Sequence, residues 1–233
     1  MNLFKCLLAS PAALLFVSLT AIAADMPAAT QDGLIRQTTR NVDEFYLRPG
    51  ADFARYNRVM LAPVEVSFAR YWEANHREVD ARESLRIRSD MAKLVRDEFT
   101  RQLQRPDRKD GKSYPVVTSA GADVLDVRVS IIDLDIAAPD VGTPLRRAYV
   151  LSAGKGRLVA ELRDSQTGAL LARAVDSREA REYPDFQIAN RVTNSSEARQ
   201  IVGLWSRLLR RYLDTARDDN APAKSNQPST QRP

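Results

Sequence analysis

The hydrophobic and polar positions divide the chain into short strands and two long helices. Arg58–Phe68 reads RVMLAPVEVSF, an apolar and β-branched run that suits a strand buried largely on both faces. Pro63 removes one ladder donor there and predicts an edge position or a bulge. Ala69–Val79 is polar around Tyr71 and Trp72 and reads as a loop. Asp80-x-x-Glu83 is a capping-box pattern, and Ile87, Met91, Leu94, Val95, Phe99 and Leu103 follow it at helical spacing. Pro106 to Ser113 ends that helix. Tyr114–Ser119 is a short strand, and Val124–Ile136 (VLDVRVSIIDLDI) is the clearest strand in the chain. Its apolar phase flips at Ile131–Ile132, which a regular strand with one dry face does not permit, so a bulge or bend is expected there. Arg147–Ser152 and Gly156–Arg163 read as extended. Asp164–Gly168 reads as a hairpin loop with Leu170–Asp176 as the return strand. Asn194-x-x-Glu197 is expected to cap a last helix whose apolar stripe is Ala198, Ile201, Val202, Trp205, Leu208, Leu209 and Tyr212. The order β-α-β-β-β-β-β-α predicts an α+β domain, a mainly antiparallel sheet covered by two amphipathic helices.

The flanks differ from this domain. Met1–Ala23 carries Lys5, then an 18-residue run without charge, and ends Ala21-Ile22-Ala23, the pattern of a secretory signal peptide. Cys6 stands at the start of the apolar run rather than its end, where a lipid-attachment cysteine belongs. Residues 24–55 are polar with short apolar islands and read as an extended N-terminal arm. Residues 56–217 form the α/β domain. Residues 218–233, with Pro222, Pro228 and Pro233 among polar residues, read as a disordered tail. The expectation is an exported protein, periplasmic and soluble after cleavage, with no membrane anchor left. The chain has 233 residues and a formal charge of +5; loss of Lys5 with the leader leaves +4 and no cysteine. Such a chain has no disulfide and no thiol nucleophile.

Candidate chemistry is sparse. His76 is the one imidazole, in a polar loop, and no Gly-x-Ser-x-Gly elbow accompanies it. Gly111-Lys112-Ser113 lacks the earlier glycine and the preceding strand of a phosphate loop. Asp133 and Asp135 lie two apart on a strand and are the candidate metal ligands, or an acid and base pair. Arginine is in excess, 29 against 6 lysines. Arg146, Arg147, Arg207, Arg210 and Arg211 are the candidate ligand-binding residues, because guanidinium forks suit carboxylates and phosphates. Nucleic acid is a poor partner: there is no RNP-like aromatic motif and no basic tail. No cofactor is expected.

Asp43–Phe53, Tyr56 with Arg58–Phe68, Asp32-Gly33-Leu34, Ala160–Ser165 with Thr167-Gly168, and the helix start at Ala198-Arg199 together resemble the bacterial domain-of-unknown-function family 3313. The resemblance covers almost all of residues 32–216. It implies an exported envelope protein, in a family often lipid-anchored, with no assigned activity and no catalytic residues. The strand–helix–strand order before Ala122-Asp123-Val124-Leu125 is also similar in pattern to small α/β domains of the curli secretion lipoprotein and the amino-terminal domain of TolB. The leading expectation is a non-catalytic periplasmic protein that binds another envelope protein or an anionic envelope component. The alternative is a metal-assisted hydrolase using Asp133 and Asp135.

Overall fold

The alternation of Val124–Ile136 produces the central strand. A computed structural model describes residues 30–77, 79–107, 111–136, 149–150, 154–179, 187–188 and 191–219. In chain order the elements are β1 (Ile35–Gln37), β2 (Glu44–Leu47), β3 (Arg58–Leu61), β4 (Glu65–Phe68), α1 (Trp72–Asn75), α2 (Ala81–Gln104), β5 (Val116–Val117), β6 (Val124–Ile136), β7 (Tyr149–Val150), β8 (Gly154–Asp164), β9 (Leu170–Glu179), β10 (Gln187–Ile188) and α3 (Arg191–Asp219). One sheet runs β1-β2-β9-β8-β6-β3-β5, with β4 also paired to β6, and β7 pairs with β10 separately. Pairing is antiparallel from β1 through β6, and β3, β4 and β5 join in parallel. This is an α+β fold with a mixed, mainly antiparallel sheet. The leader Met1–Ala23 and residues 220–233 lie outside the described residues.

Four differences from the sequence reading have physical causes. The expected strand 58–68 is two strands, because Ala62-Pro63-Val64 interrupts the ladder. The bulge in β6 sits between Ile132 and Asp135, slightly later than the phase flip, and Asp133 takes a left-handed φ of 53° to make it. Buried Leu134 (4 % exposed) draws the chain inward there and pairs with Phe68. The loop 69–79 contains the single turn α1, where Trp72 is buried, stacked on Phe68 at 4.0 Å, and donates its indole N–H to Ile136 O at 3.0 Å. The arm does more than dock: it adds β1 and β2 to the sheet edge along β9.

Helix α2 begins as its capping pattern implies, with the Asp80 side chain accepting from Glu83 N at 2.7 Å. Helix α3 starts at Arg191, so Asn194 lies inside it, and it continues to Asp219. Both helices cover the same sheet face. Leu125, Val127, Val129 and Ile131 of β6 form one core with Val95, Phe99 and Leu103 of α2 and Val202, Trp205 and Leu213 of α3. The helices run in the same direction, since Glu98 packs at Gly203 and Arg210 reaches the carbonyls of Gln102, Leu103 and Arg105. Gly203 permits this approach: a methyl group there would lie 3.1 Å from Glu98 Oε1.

Two carboxylates lock the layers. Asp176, fully buried on β9, accepts the Trp205 indole N–H at 2.7 Å, the Arg178 guanidinium, and the backbone N–H of Asp43 in the arm. Asp164 closes the β8–β9 hairpin: its Oδ1 accepts from the backbone N–H of Gln166 and Thr167, and its Oδ2 from the Tyr56 hydroxyl at 2.8 Å. Gly168, at φ 70°, supplies the left-handed residue of that turn. The Thr167 N–H and the Tyr56 hydroxyl hold the Asp164 carboxyl down at about 2, while burial, then the bond to Asp164, push Tyr56 up to about 12.

Two outcomes follow from these locks. Trp205→Ala should destabilise the protein by about 3–5 kcal/mol, the range for truncating a large buried aromatic; thermal unfolding indistinguishable from wild type would show that Trp205 is not core. For Asp164 the folded-state pKa lies below the unfolded one, so its stabilisation is complete above roughly pH 4 and disappears as pH falls through about 2, amounting to about 2 kcal/mol. The stability gap between wild type and Asp164→Asn should narrow by that amount over this window in acid titrations of unfolding; a constant gap would contradict the role given to Asp164.

Candidate functional site: the arginine face of the helix layer

Because the apolar stripes of α2 and α3 turn to the sheet, the remaining arc of each helix faces solvent. That arc is rich in arginine. The two helices hold twelve Lys and Arg against eight Asp and Glu, so +4 of the chain's +5 resides in them. Arg82 and Arg96 of α2, Arg105 just past its end, and Arg199, Arg207 and Arg211 of α3 are all exposed. Among the described residues, no carboxylate lies within ion-pair distance of any of these six. Others on the layer are neutralised: Arg86 by Glu83, Lys93 by Asp97, and Arg101 by the buried Glu98.

Of the arginines singled out from sequence, Arg207 and Arg211 belong to this face. Arg210 does not. It is 5 % exposed, and its guanidinium bonds Asp214 within α3 and the carbonyls of Leu103 at 3.0 Å, Arg105 at 2.7 Å and Lys112 at 3.0 Å. It thus caps the C-terminal carbonyls of α2, where the helix dipole favours a cation. The Tyr114 ring lies beneath it, with Arg217 over the same ring at 4.0 Å. Burial pushes the Tyr114 hydroxyl well above its ordinary range. Sequence spacing contained the signal: Gly203, Ser206, Arg210 and Leu213 fall on one inward line, and all four are buried. Arg82, Arg96, Arg105 and Arg199 were missed as site residues because the relevant array spans two helices that only tertiary packing sets side by side. Arg146 and Arg147 lie outside the described residues.

Asp133 and Asp135 end up at the β6 bulge, each facing a cation: Arg157 at 3.5 Å and Lys155 at 3.8 Å. Among the described residues no group of three His, Cys, Asp or Glu is placed to hold a metal ion. His76 stacks on Trp72 at 4.4 Å and its Nδ1 contacts Trp72 O at 2.8 Å, which assigns the ring proton to that nitrogen.

The opposite face of the sheet is also rich in arginine, and there, among the described residues, Arg128, Arg163 and Arg173 meet carboxylates while Arg36 does not. Register places Arg36, Tyr46, Arg173, Glu161 and Arg128 in one row across five strands. Glu161 lies between Arg173 and Arg163, at 2.9 and 2.7 Å, and Arg128 bonds Asp126 at 2.9 Å. Burial acts to raise the Glu161 carboxyl, but the two guanidiniums prevail and hold it below the ordinary range. An open depression of about 260 Å³ lies at the C-terminal end of the helix layer, lined by Arg105, Pro106, Asp107, Arg210 and Asp214. Among the described residues no helix is long and apolar enough to cross a membrane.

Comparison with solved structures finds distant likenesses. The PelC dodecamer from Paraburkholderia phytofirmans is 11 % identical, over 68 % of this chain and 91 % of that one, with a TM-score of 0.34. A "putative lipoprotein" from Caulobacter crescentus CB15 is 11 % identical over 74 % and 96 %, with a TM-score of 0.35. A "putative neuraminyllactose-binding hemagglutinin homolog" from Helicobacter pylori is 10 % identical over 71 % and 91 %, with a TM-score of 0.36. Scores this low decide neither fold nor function. No curated protein matches the sequence. The family model described as "Protein of unknown function (DUF3313)" matches residues 27–209, which include every residue of the arginine face except Arg211, and the chain belongs to that family.

Proposed function

We propose that this protein is an exported, non-catalytic component of the bacterial cell envelope that binds an anionic envelope partner through the outer faces of α2 and α3. The observation that carries the reading is that, among the described residues, Arg82, Arg96, Arg105, Arg199, Arg207 and Arg211 of one layer have no carboxylate within ion-pair distance, while Arg128, Arg163 and Arg173 of the opposite sheet face are tied to carboxylates. An exposed guanidinium without a partner keeps its full capacity for forked bonds to carboxylate or phosphate oxygens. The groups with displaced ionisation support the non-catalytic part: Asp164, Tyr56 and Glu161 are engaged in contacts that hold the hairpin and the sheet. Export through Met1–Ala23 supplies the compartment, and the family likeness brings no catalytic residues with it.

In gentle cell fractionation the mature protein should begin at Ala24 and stay with the envelope at low salt. It should be released at roughly 0.5 M salt, where screening shortens the reach of charges to about 4 Å. Arg207→Gln combined with Arg211→Glu should free it at low salt while leaving the melting temperature near wild type, since surface substitutions usually change stability by no more than about 0.5 kcal/mol and glutamine at 207 sets no second carboxylate beside Glu98. A mature form retaining Met1, or equal retention of the double variant and wild type, would refute the proposal.

A further inference from the structure

Resting on that reading, we infer that the anionic partner is a phospholipid surface, on which α2 and α3 lie side by side as a docking plane. Geometry favours a surface over a small anion. A small anion is chelated by converging groups in a concavity, whereas the unpaired arginines spread along two helices. Arg82 to Arg96 spans about 21 Å and Arg199 to Arg211 about 18 Å at the helical rise per residue. The two helices run in the same direction and approach closely at Gly203, so their outer sides form a plane two helices wide. The depression at the C-terminal end lies at the edge of this plane, and Asp107 and Asp214 on its rim oppose an anion there.

A second observation separates a lipid surface from a water-borne polyanion. Leu85, one of two large hydrophobic residues strongly exposed among the described residues, is 61 % exposed in the second turn of α2. It stands at the margin of the exposed arc, beside Arg82, Ser89 and Arg96 and in line with the buried Leu103 five turns further on. An apolar side chain among arginines gains nothing from a soluble polyanion, but it enters the headgroup layer of a bilayer while the guanidiniums meet phosphates. Neither helix is apolar enough to span a membrane, so the arrangement corresponds to lying on the surface.

The test uses the mature protein purified from cells, sedimented with vesicles of phosphatidylcholine alone or with about one third phosphatidylglycerol, where each cation near the charged surface contributes roughly fivefold to partitioning. The expected result is binding to the anionic vesicles, little to the neutral ones, and loss of binding at about 0.5 M salt. Arg207→Gln with Arg211→Glu should bind at least tenfold more weakly. Leu85→Ser should bind severalfold more weakly while keeping the same salt dependence. Equal binding to both vesicle types, no binding to either, or a double variant that binds like wild type would overturn the inference. So would full competition by glycerol phosphate at about millimolar concentration, which would mark a site for one small anion. If vesicle binding fails while envelope retention still requires Arg207 and Arg211, the lipid assignment falls and the envelope-binding reading stands; if both fail, both are wrong.

Discussion

The buried carboxylate of Asp176 is the constraint on which the layers depend. A fully buried carboxylate is costly unless its lone pairs are filled, and here they are filled by groups from two distant parts of the chain, the Trp205 indole in α3 and the Asp43 backbone in the arm, together with Arg178 beside it on β9. Ser177 N returns a bond to the Asp43 side chain at 2.8 Å, so arm and strand clasp one another reciprocally. The arm's aromatic residue follows: Phe45 meets Tyr212 of α3 edge-on at 5.3 Å, and Phe53 meets the same ring from another side. Burial pushes the Tyr212 hydroxyl up to about 12. Sheet edge, arm and last helix therefore form one cooperative unit.

Arginine serves three separate ends in this chain. Buried Arg210 closes the C-terminus of α2 and sits over Tyr114. On the open sheet face, Arg128 is paired with Asp126, and Arg163 and Arg173 share Glu161. On the helix layer, six guanidiniums have no carboxylate within ion-pair distance among the described residues. Composition reports only the excess of arginine over lysine; the division of labour arises from which side chains find carboxylates across strands and which look out from a helix.

The residues that carry the family resemblance act mainly in the fold. Asp164, Thr167 and Gly168 build the hairpin turn, and Tyr56 fastens it to the segment leading into β3. Leu34 is fully buried beside a turn in which Gly33 takes a left-handed φ of 74°, and Arg48 bonds the carbonyls of Asp32 and Leu170. A motif made of such contacts identifies an architecture.

What the sequence determined by itself is whatever depends on neighbours along the chain. The apolar period placed α2 and α3 and turned Trp205 inward, Asp80 capped α2 through its own turn, Asp164–Gly168 made its hairpin, and the phase flip in Val124–Ile136 announced a bulge within a few residues of its true position. Tertiary structure alone decided the rest. The polar arm became β1 and β2 because the edge of β9 offered hydrogen-bond partners more than a hundred residues away, and no local pattern encodes that edge. Asp133 and Asp135, two apart in sequence, met Arg157 and Lys155 because the β8 register set those cations opposite. Arg210 and Arg211 are adjacent and chemically identical, yet one is buried and the other exposed. One step along a helix is about 100° of rotation, and only the position of α2 beside α3 determines which direction is inward.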